Sequence, residues 1–167
     1  QDNDASDEEK PLHSVTLSDY LIGETEVTQA LWQAVMGSNP ANKSVKQENH
    51  WGSYDQTDHS SSSCSQSIRF KPILGTNLPV EQVSWKDCQK FISKLNSITG
   101  KTFSLPTEAQ WEYASRGGNK SHGYKYSGSN DINDVGWCED NRGNDFLHDV
   151  KTKSANELGL YDMSGNV

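Results

Sequence analysis

The most tightly specified stretch of this sequence is residues 78–118, which carries two helix signatures joined by a short extended piece. In the first signature, Ser84 and Asp87 have the spacing of a helix N-cap answered by a carboxylate. Gly100 supplies a left-handed stop, so we predict a helix over residues 85–99. Its expected buried stripe consists of Trp85, Cys88, Phe91, Ile92, Leu95 and Ile98.

The second signature follows a proline. Thr107 and Gln110 repeat the capping-box spacing, which predicts a helix over residues 108–116 that buries Trp111 and Ala114. Between the two helices, residues 102–105 alternate polar with apolar side chains, a pattern typical of a half-buried strand.

Another helix is predicted upstream, over residues 28–36, with Thr28 as its N-cap and Trp32 as a core anchor. A strand is predicted within residues 11–20. Glu24 and Glu26 could form an acid–base pair, but alternate positions on an extended segment more often belong to a solvated face.

Charge limits the classes of partner. The chain has 15 basic and 23 acidic residues, a formal net charge of -8, and no basic stripe, which argues against nucleic acid or an anionic membrane as the main partner. No apolar run approaches the length that spans a bilayer. Residues 1–10 form an acidic tail. The sequence does not begin with Met, so it is either a processed product, which a removed signal peptide would explain, or an excerpt of a longer chain. The expected location is extracytoplasmic: periplasmic, on the cell surface or secreted.

The cysteines do not indicate a cofactor. Cys64, Cys88 and Cys138 are odd in number and lack C-x-x-C spacing, so neither a disulfide framework nor a zinc site is predicted. Cys88 is expected to be a small core residue.

Two polar regions are the candidate binding loops. Residues 38–76 form a Ser-rich loop insertion, and a Gly/Ser/Asn-rich loop follows the helices. Function often resides on such loops, and their aromatic side chains could form a binding surface. The candidate binding residues are Trp51, Tyr54, Tyr124, Tyr126 and Trp137.

Three segments, LPVEQVSW, SLPTEAQWEYASRGG and ELGLYDMSGNV, resemble in order the signatures of the formylglycine-generating enzyme (sulfatase-modifying factor) family. The resemblance implies one α+β domain over residues 1–167, a loop-rich variant of the C-type lectin fold with short antiparallel strands and helices. The domain is expected to be truncated, because the first strand and the C-terminal part of the family have no match. A second chain that completes the sheet, or a longer polypeptide, is therefore expected.

The resemblance also implies calcium. Asp162 and the backbone carbonyls of Gly165 and Val167 match part of a calcium site of the family, which normally includes a Glu beyond the Val; the site is therefore expected to be incomplete here. Oxygen-bearing side chains are also dense in residues 134–149, although their spacing is not that of an EF-hand.

The activity of the family does not carry over residue by residue. Its members oxidise a substrate cysteine to formylglycine with copper and two C-terminal cysteines, which this sequence does not match, so copper is expected only if a further segment supplies thiolates. The preferred interpretation is a non-catalytic binding or scaffold module, secreted or on a surface, whose ligand is an unknown protein or small molecule. The alternatives are a fragment of a copper-dependent oxidoreductase that acts on a sulfatase cysteine, and a structural lipoprotein of an envelope assembly.

Overall fold

The computed structural model describes residues 14–41, 77–143 and 147–167. Within these ranges the helices are α1 (Gln29–Met36), α2 (Trp85–Thr99), α3 (Glu108–Ser115) and α4 (Ile132–Val135), with a 3₁₀ turn at Gly118–Lys120. The three longer helices confirm the three predicted from sequence. Most of the remaining described chain is irregular, as expected for a loop-rich domain.

The caps explain where the helices begin and end. Thr28 Oγ1 accepts from Leu31 N, and the capping boxes predicted at Ser84 and Thr107 are both formed. Glycines in the left-handed region end α1 and α2. Local sequence was sufficient here because each cap is made by side chains within three positions of the helix start.

The core lies between α1 and α2. Trp32 and Phe91 are each only 4% exposed and stack in parallel, with ring centroids 4.9 Å apart, while Val35 completes the buried cluster. The prediction that Trp32 anchors the core is therefore confirmed. Burying a side chain of this size contributes about 2 to 3 kcal/mol, so this contact dominates the packing of the two helices.

Parts of the predicted apolar stripes are not buried. Trp85 and Ile98, at the two ends of α2, are 69% and 63% exposed, and Trp111 of α3 is 46% exposed, although Ala114 is fully buried. Cys88 is half-buried. The stripe was correct in register, but α1 is shorter than α2 and contacts only its middle.

No described residue belongs to a multi-residue strand, so the predicted strands are not observed as ladders. Antiparallel pairing in the described ranges consists of isolated bridges, Thr28 with Pro79 and Tyr126 with Ser129. Residues 14–20, the described part of one predicted strand, are irregular, and residues 102–105 are exposed and unpaired with other described backbone. A side chain accounts for this second case, because Asn96 binds both the N–H and the C=O of Phe103.

The buried side chain of Asn156 joins α3 to the loops that follow it in the sequence. Asn156 is 6% exposed; its Nδ2 donates to Ala114 O and Ser127 Oγ, and its Oδ1 accepts from Leu158 N and Leu160 N. One side chain therefore holds the end of α3, a loop and the C-terminal turn together. Within the described ranges, no helix is long and apolar enough to cross a bilayer.

Candidate functional site

The C-terminal segment, residues 164–167, packs directly against residues 136–138. Asn166 N donates to Trp137 O at 3.0 Å. A Cβ at Gly165 would collide with Trp137 O, and a Cβ at Gly136 would lie 2.7 Å from Ser164 O. Glycine is required at both positions because the two backbones approach too closely for any side chain.

Asn166 is the centre of a polar network. Its Oδ1 accepts from His148 N and its Nδ2 donates to His148 O, both at 3.0 Å. The same Nδ2 also donates to Glu26 Oε2 at 3.0 Å, and Val167 N donates to Glu26 Oε1 at 3.2 Å. The network, here called the closing network, connects residues 164–167 to a residue 140 positions earlier in the sequence.

Glu26 is the titratable residue of this network. Burial, and secondly the charge of Asp162, raise the pKa of Glu26 to about 7, while the hydrogen bonds from Asn166 and Val167 oppose the rise. The carboxyl group is therefore partly protonated near neutral pH. Both of its oxygens are occupied as acceptors, which makes it a structural carboxyl in this conformation.

Asp162 is buried beside Glu26 and carries an unsatisfied oxygen. The residue is 7% exposed; its Oδ2 accepts from Lys151 N at 2.9 Å, and its Oδ1 is buried with no hydrogen-bond partner among the described residues. Burial raises the pKa of this carboxyl. A buried carboxylate oxygen without a partner costs free energy unless a proton or a cation satisfies it.

The two glutamates of residues 24–26 have different environments. Glu24 is exposed and pairs with Lys151 Nζ at 2.6 Å, as the solvated-face interpretation predicted. That interpretation was wrong for Glu26, which is partly buried in the network just described. Nothing local distinguished the two positions, because the partners of Glu26 lie at the other end of the sequence.

Trp137 is held in a stack of side chains. Its ring lies parallel to His148 with centroids 3.7 Å apart, and Lys153 Nζ lies 3.9 Å from its centroid. Two groups this close to the ring centre must occupy opposite faces of the indole. The indole N–H donates to Thr152 Oγ1 at 2.8 Å. That Trp137 belongs to a binding loop stays a prediction.

The other candidate aromatic residues lie apart from this network. Tyr124 is 39% exposed and meets His122 edge to face, at 5.4 Å between centroids. Tyr126 is half-buried in a tight turn, with Lys125 Nζ 5.4 Å from its ring. Trp51 and Tyr54 lie outside the described residues.

The calcium residues expected from the family motif lie in the network, where Asp162 supplies the unsatisfied oxygen. Among the described residues, no group of three or more His, Cys, Asp or Glu side chains could hold a metal ion. Any calcium bound here would thus depend on backbone carbonyls, which calcium accepts. Glu26 and Asn166 are the site residues that sequence reasoning did not select, although Asn166 lies within the GNV motif.

Of this network, Asn166 and Val167 lie in the segment ELGLYDMSGNV that resembles the family, and comparison with known proteins gives the class. The sulfatase-modifying factor enzyme 1-like domain model matches residues 1–167, and the chain belongs to this family.

Relatives are similar over different shares of their length. The chain is 35% identical to the Chaperone protein LppX of Paenibacillus barcinonensis, over 92% of this chain and 62% of that protein. It is 34% identical to the Inactive C-alpha-formylglycine-generating enzyme 2 of Bos taurus, over 53% of this chain and 31% of that protein. The chain thus spans less than two thirds of the length of either relative.

The fold comparison agrees. Treponema denticola variable protein 1 superposes with a TM-score of 0.64 and 32% sequence identity, covering 93% of this chain and 62% of that structure. This similarity confirms the family fold, although the described part of the chain does not display the predicted antiparallel layout.

Proposed function

We propose that this chain is a non-catalytic module that binds other polypeptides outside the cytoplasm. The observation that carries the proposal is that a buried acidic residue has a structural role, while large apolar side chains are exposed on the surface. Glu26 is committed to holding the C-terminal segment, whereas Trp85, Trp111 and Phe103 expose large apolar areas. Exposed apolar side chains of this size are typical of interaction surfaces.

The names of the relatives support a binding role over a catalytic one. One is named a chaperone and another an inactive enzyme. The two cysteines of the described residues, Cys88 and Cys138, are both free and lie in different segments, α2 and the strip against residues 164–167, whereas Cys64 lies outside the described residues. A copper site would need thiolates that converge on one metal. The lectin-type sheet and the extracytoplasmic location remain part of this proposal.

Suppression of aggregation tests the proposal. The purified chain, added at equimolar ratio to a reduced, aggregating client such as insulin, should delay the rise in light scattering, and serum albumin at the same concentration should not. Scattering curves that coincide with and without the chain would contradict a polypeptide-binding role.

We also propose that calcium binds at Asp162 with the carbonyl oxygens of Gly165 and Val167. The support is the family motif and the buried, unsatisfied Oδ1 of Asp162. Calcium at millimolar concentration should raise the melting temperature of wild type by several degrees relative to EGTA. Asp162→Ala should abolish the rise, while Asp140→Asn, on an exposed residue, should retain it; an unchanged wild-type melting temperature would exclude the site.

A further inference from the structure

Several oxygens beside the closing network are free to bind a cation. Asp162 Oδ1 is buried and unsatisfied, while Asp162 Oδ2 accepts from Lys151 N at 2.9 Å. No backbone hydrogen bond of the described chain engages the carbonyl oxygen of Gly165 or of Val167. Calcium accepts carboxylate and carbonyl oxygens, and its affinity for a site depends on the charge of the ligands and on the rigidity of the site.

Glu26 fixes the backbone that carries these carbonyl oxygens. Its Oε1 accepts from Val167 N at 3.2 Å and its Oε2 accepts from Asn166 Nδ2 at 3.0 Å. Asn166 N donates to Trp137 O. Because the N–H of a trans peptide group points opposite to its C=O, the Gly165 carbonyl points away from Trp137. Glu26 and Trp137 together hold both peptide groups between Gly165 and Val167.

The backbone at this place is held in conformations that residues other than glycine rarely adopt. Asp162 and Asn166 have positive φ angles of 57° and 107°. Such conformations persist where the surrounding contacts impose them. The hydrogen bonds of Asn166 with Glu26 and His148, and that of Asp162 with Lys151 N, are contacts of this kind. The candidate ligands are therefore preorganised.

Glu26 also places a second carboxyl group beside Asp162. The charge of Asp162 acts on Glu26, and Asp162 is buried and Glu26 half-buried. No salt bridge of the described residues engages either carboxyl group: Lys151 Nζ pairs with Glu24, and the His148 ring stacks on an indole. Negative charges withdrawn from water without a positive partner favour a bound cation.

We propose that Glu26 belongs to the calcium site, as its second negative charge and as the group that positions residues 165–167. Glu26 keeps its hydrogen bonds to Asn166 and Val167, while Asp162 and the carbonyl oxygens hold the ion. Calcium therefore strengthens the contact between the segment of Glu26 and residues 164–167. The inference rests on the calcium site proposed above and adds a residue to it.

Glu26→Gln tests the charge, because it keeps the shape of the side chain. Calcium affinity, measured by isothermal titration at pH 7.5, should fall about tenfold. Terbium affinity, measured by luminescence, should fall about thirtyfold, because attraction to a fixed charge scales with the charge of the ion. Glu24→Gln removes the same charge from an exposed position two residues away and should leave both affinities within twofold.

Amide exchange of wild type tests the positioning and needs no variant. Millimolar calcium should slow exchange of the Asn166 and Val167 amides at least tenfold relative to EGTA, because the ion holds the peptide groups that bind Trp137 O and Glu26. The Asp87 amide, in the cap of α2, should change less than twofold. Circular dichroism in EGTA establishes whether each variant is folded; if Glu26→Gln is not, the exchange measurement decides.

Four results would overturn the proposal: equal calcium affinities of wild type and Glu26→Gln, an equal loss in Glu24→Gln, equal factors for the two ions, or amide exchange that does not respond to calcium. If Asp162→Ala abolishes calcium binding while Glu26→Gln retains it, the calcium site stands without Glu26. If wild type binds no calcium, the calcium site and this inference both fail.

Discussion

Asn166 has the most connected side chain at the closure of the domain. Its amide donates to Glu26 and to His148 O and accepts from His148 N, so a single planar group aligns three segments. An amide is suited to this role because it is both donor and acceptor and carries no charge. Beside Glu26 and the buried Asp162, a negatively charged group would add repulsion.

Asn166→Asp should therefore destabilise the protein by about 3 kcal/mol, since it removes two donated hydrogen bonds and places a third carboxyl next to two others. Urea denaturation measures the change. Asn119→Asp, on an exposed residue, should change the free energy of unfolding by less than about 0.5 kcal/mol. Equal effects of the two substitutions would show that the amide network does not hold the segment.

Glu26 should make stability fall as pH rises. Its folded pKa, about 7, is above its ordinary value of 4.5, so the folded state binds the proton more tightly than the unfolded state. The contribution is fully present below pH 4.5 and is lost as pH rises through 7. After allowance for partial exposure, wild type in EDTA should lose about 2 kcal/mol between pH 5 and 8.

Glu26→Gln provides the comparison, because its amide cannot ionise. Urea midpoints of this variant should vary less with pH than those of wild type over the same range. Parallel curves for the two proteins would assign the pH dependence to other groups.

At the scale of elements, helix caps were readable from sequence and strand pairing was not. The start of α2 is determined by Ser84 and Asp87, which lie three residues apart and bond each other's backbone. The predicted strand at 102–105 failed as a ladder because its described partner is the side chain of Asn96. Alternation of apolar residues reports an extended, half-exposed segment, not what that segment pairs with.

The cap of α2 can be tested directly. Ser84→Ala removes the hydroxyl that accepts from Asp87 N at 3.2 Å and should cost about 1 kcal/mol. Ser97→Ala, at an exposed interior position of the same helix, should be neutral or slightly stabilising because alanine has the higher helix propensity. If both variants unfold at the same urea concentration, the cap contributes nothing measurable.

In the candidate site too, the sequence indicated some residues, and it missed those whose environment depends on distant parts of the chain. The segment ELGLYDMSGNV led to Asp162, Gly165 and Val167 by family resemblance, and the structure places them in or beside the closing network. Glu26 could not be selected from sequence because its burial depends on residues 140 positions away. The stack of Trp137 with His148 and Lys153 could not be predicted, because the sequence shows only an aromatic residue in a loop and the contacts exist in three dimensions.

At the scale of the whole molecule, the chain belongs to the sulfatase-modifying factor family and spans 62% of its chaperone-named relative. The family match supplies the fold, while activity has to be argued from the site. In the described residues Glu26 and Asn166 hold residues 164–167 in place, whereas Trp85, Trp111 and Phe103 expose apolar surface that a partner could cover. The central claim is that this chain binds polypeptide without altering it.

Mass spectrometry of one mixture tests that claim most directly. The chain is incubated with copper, oxygen and an unfolded peptide that contains one cysteine, and the sample is divided between native conditions and denaturing conditions with a thiol reductant that reverses disulfide formation. The account predicts a chain–peptide complex in the native spectrum and, after denaturation and reduction, a peptide mass in which the cysteine is intact. Conversion of the cysteine to formylglycine, or the absence of any complex, would contradict it.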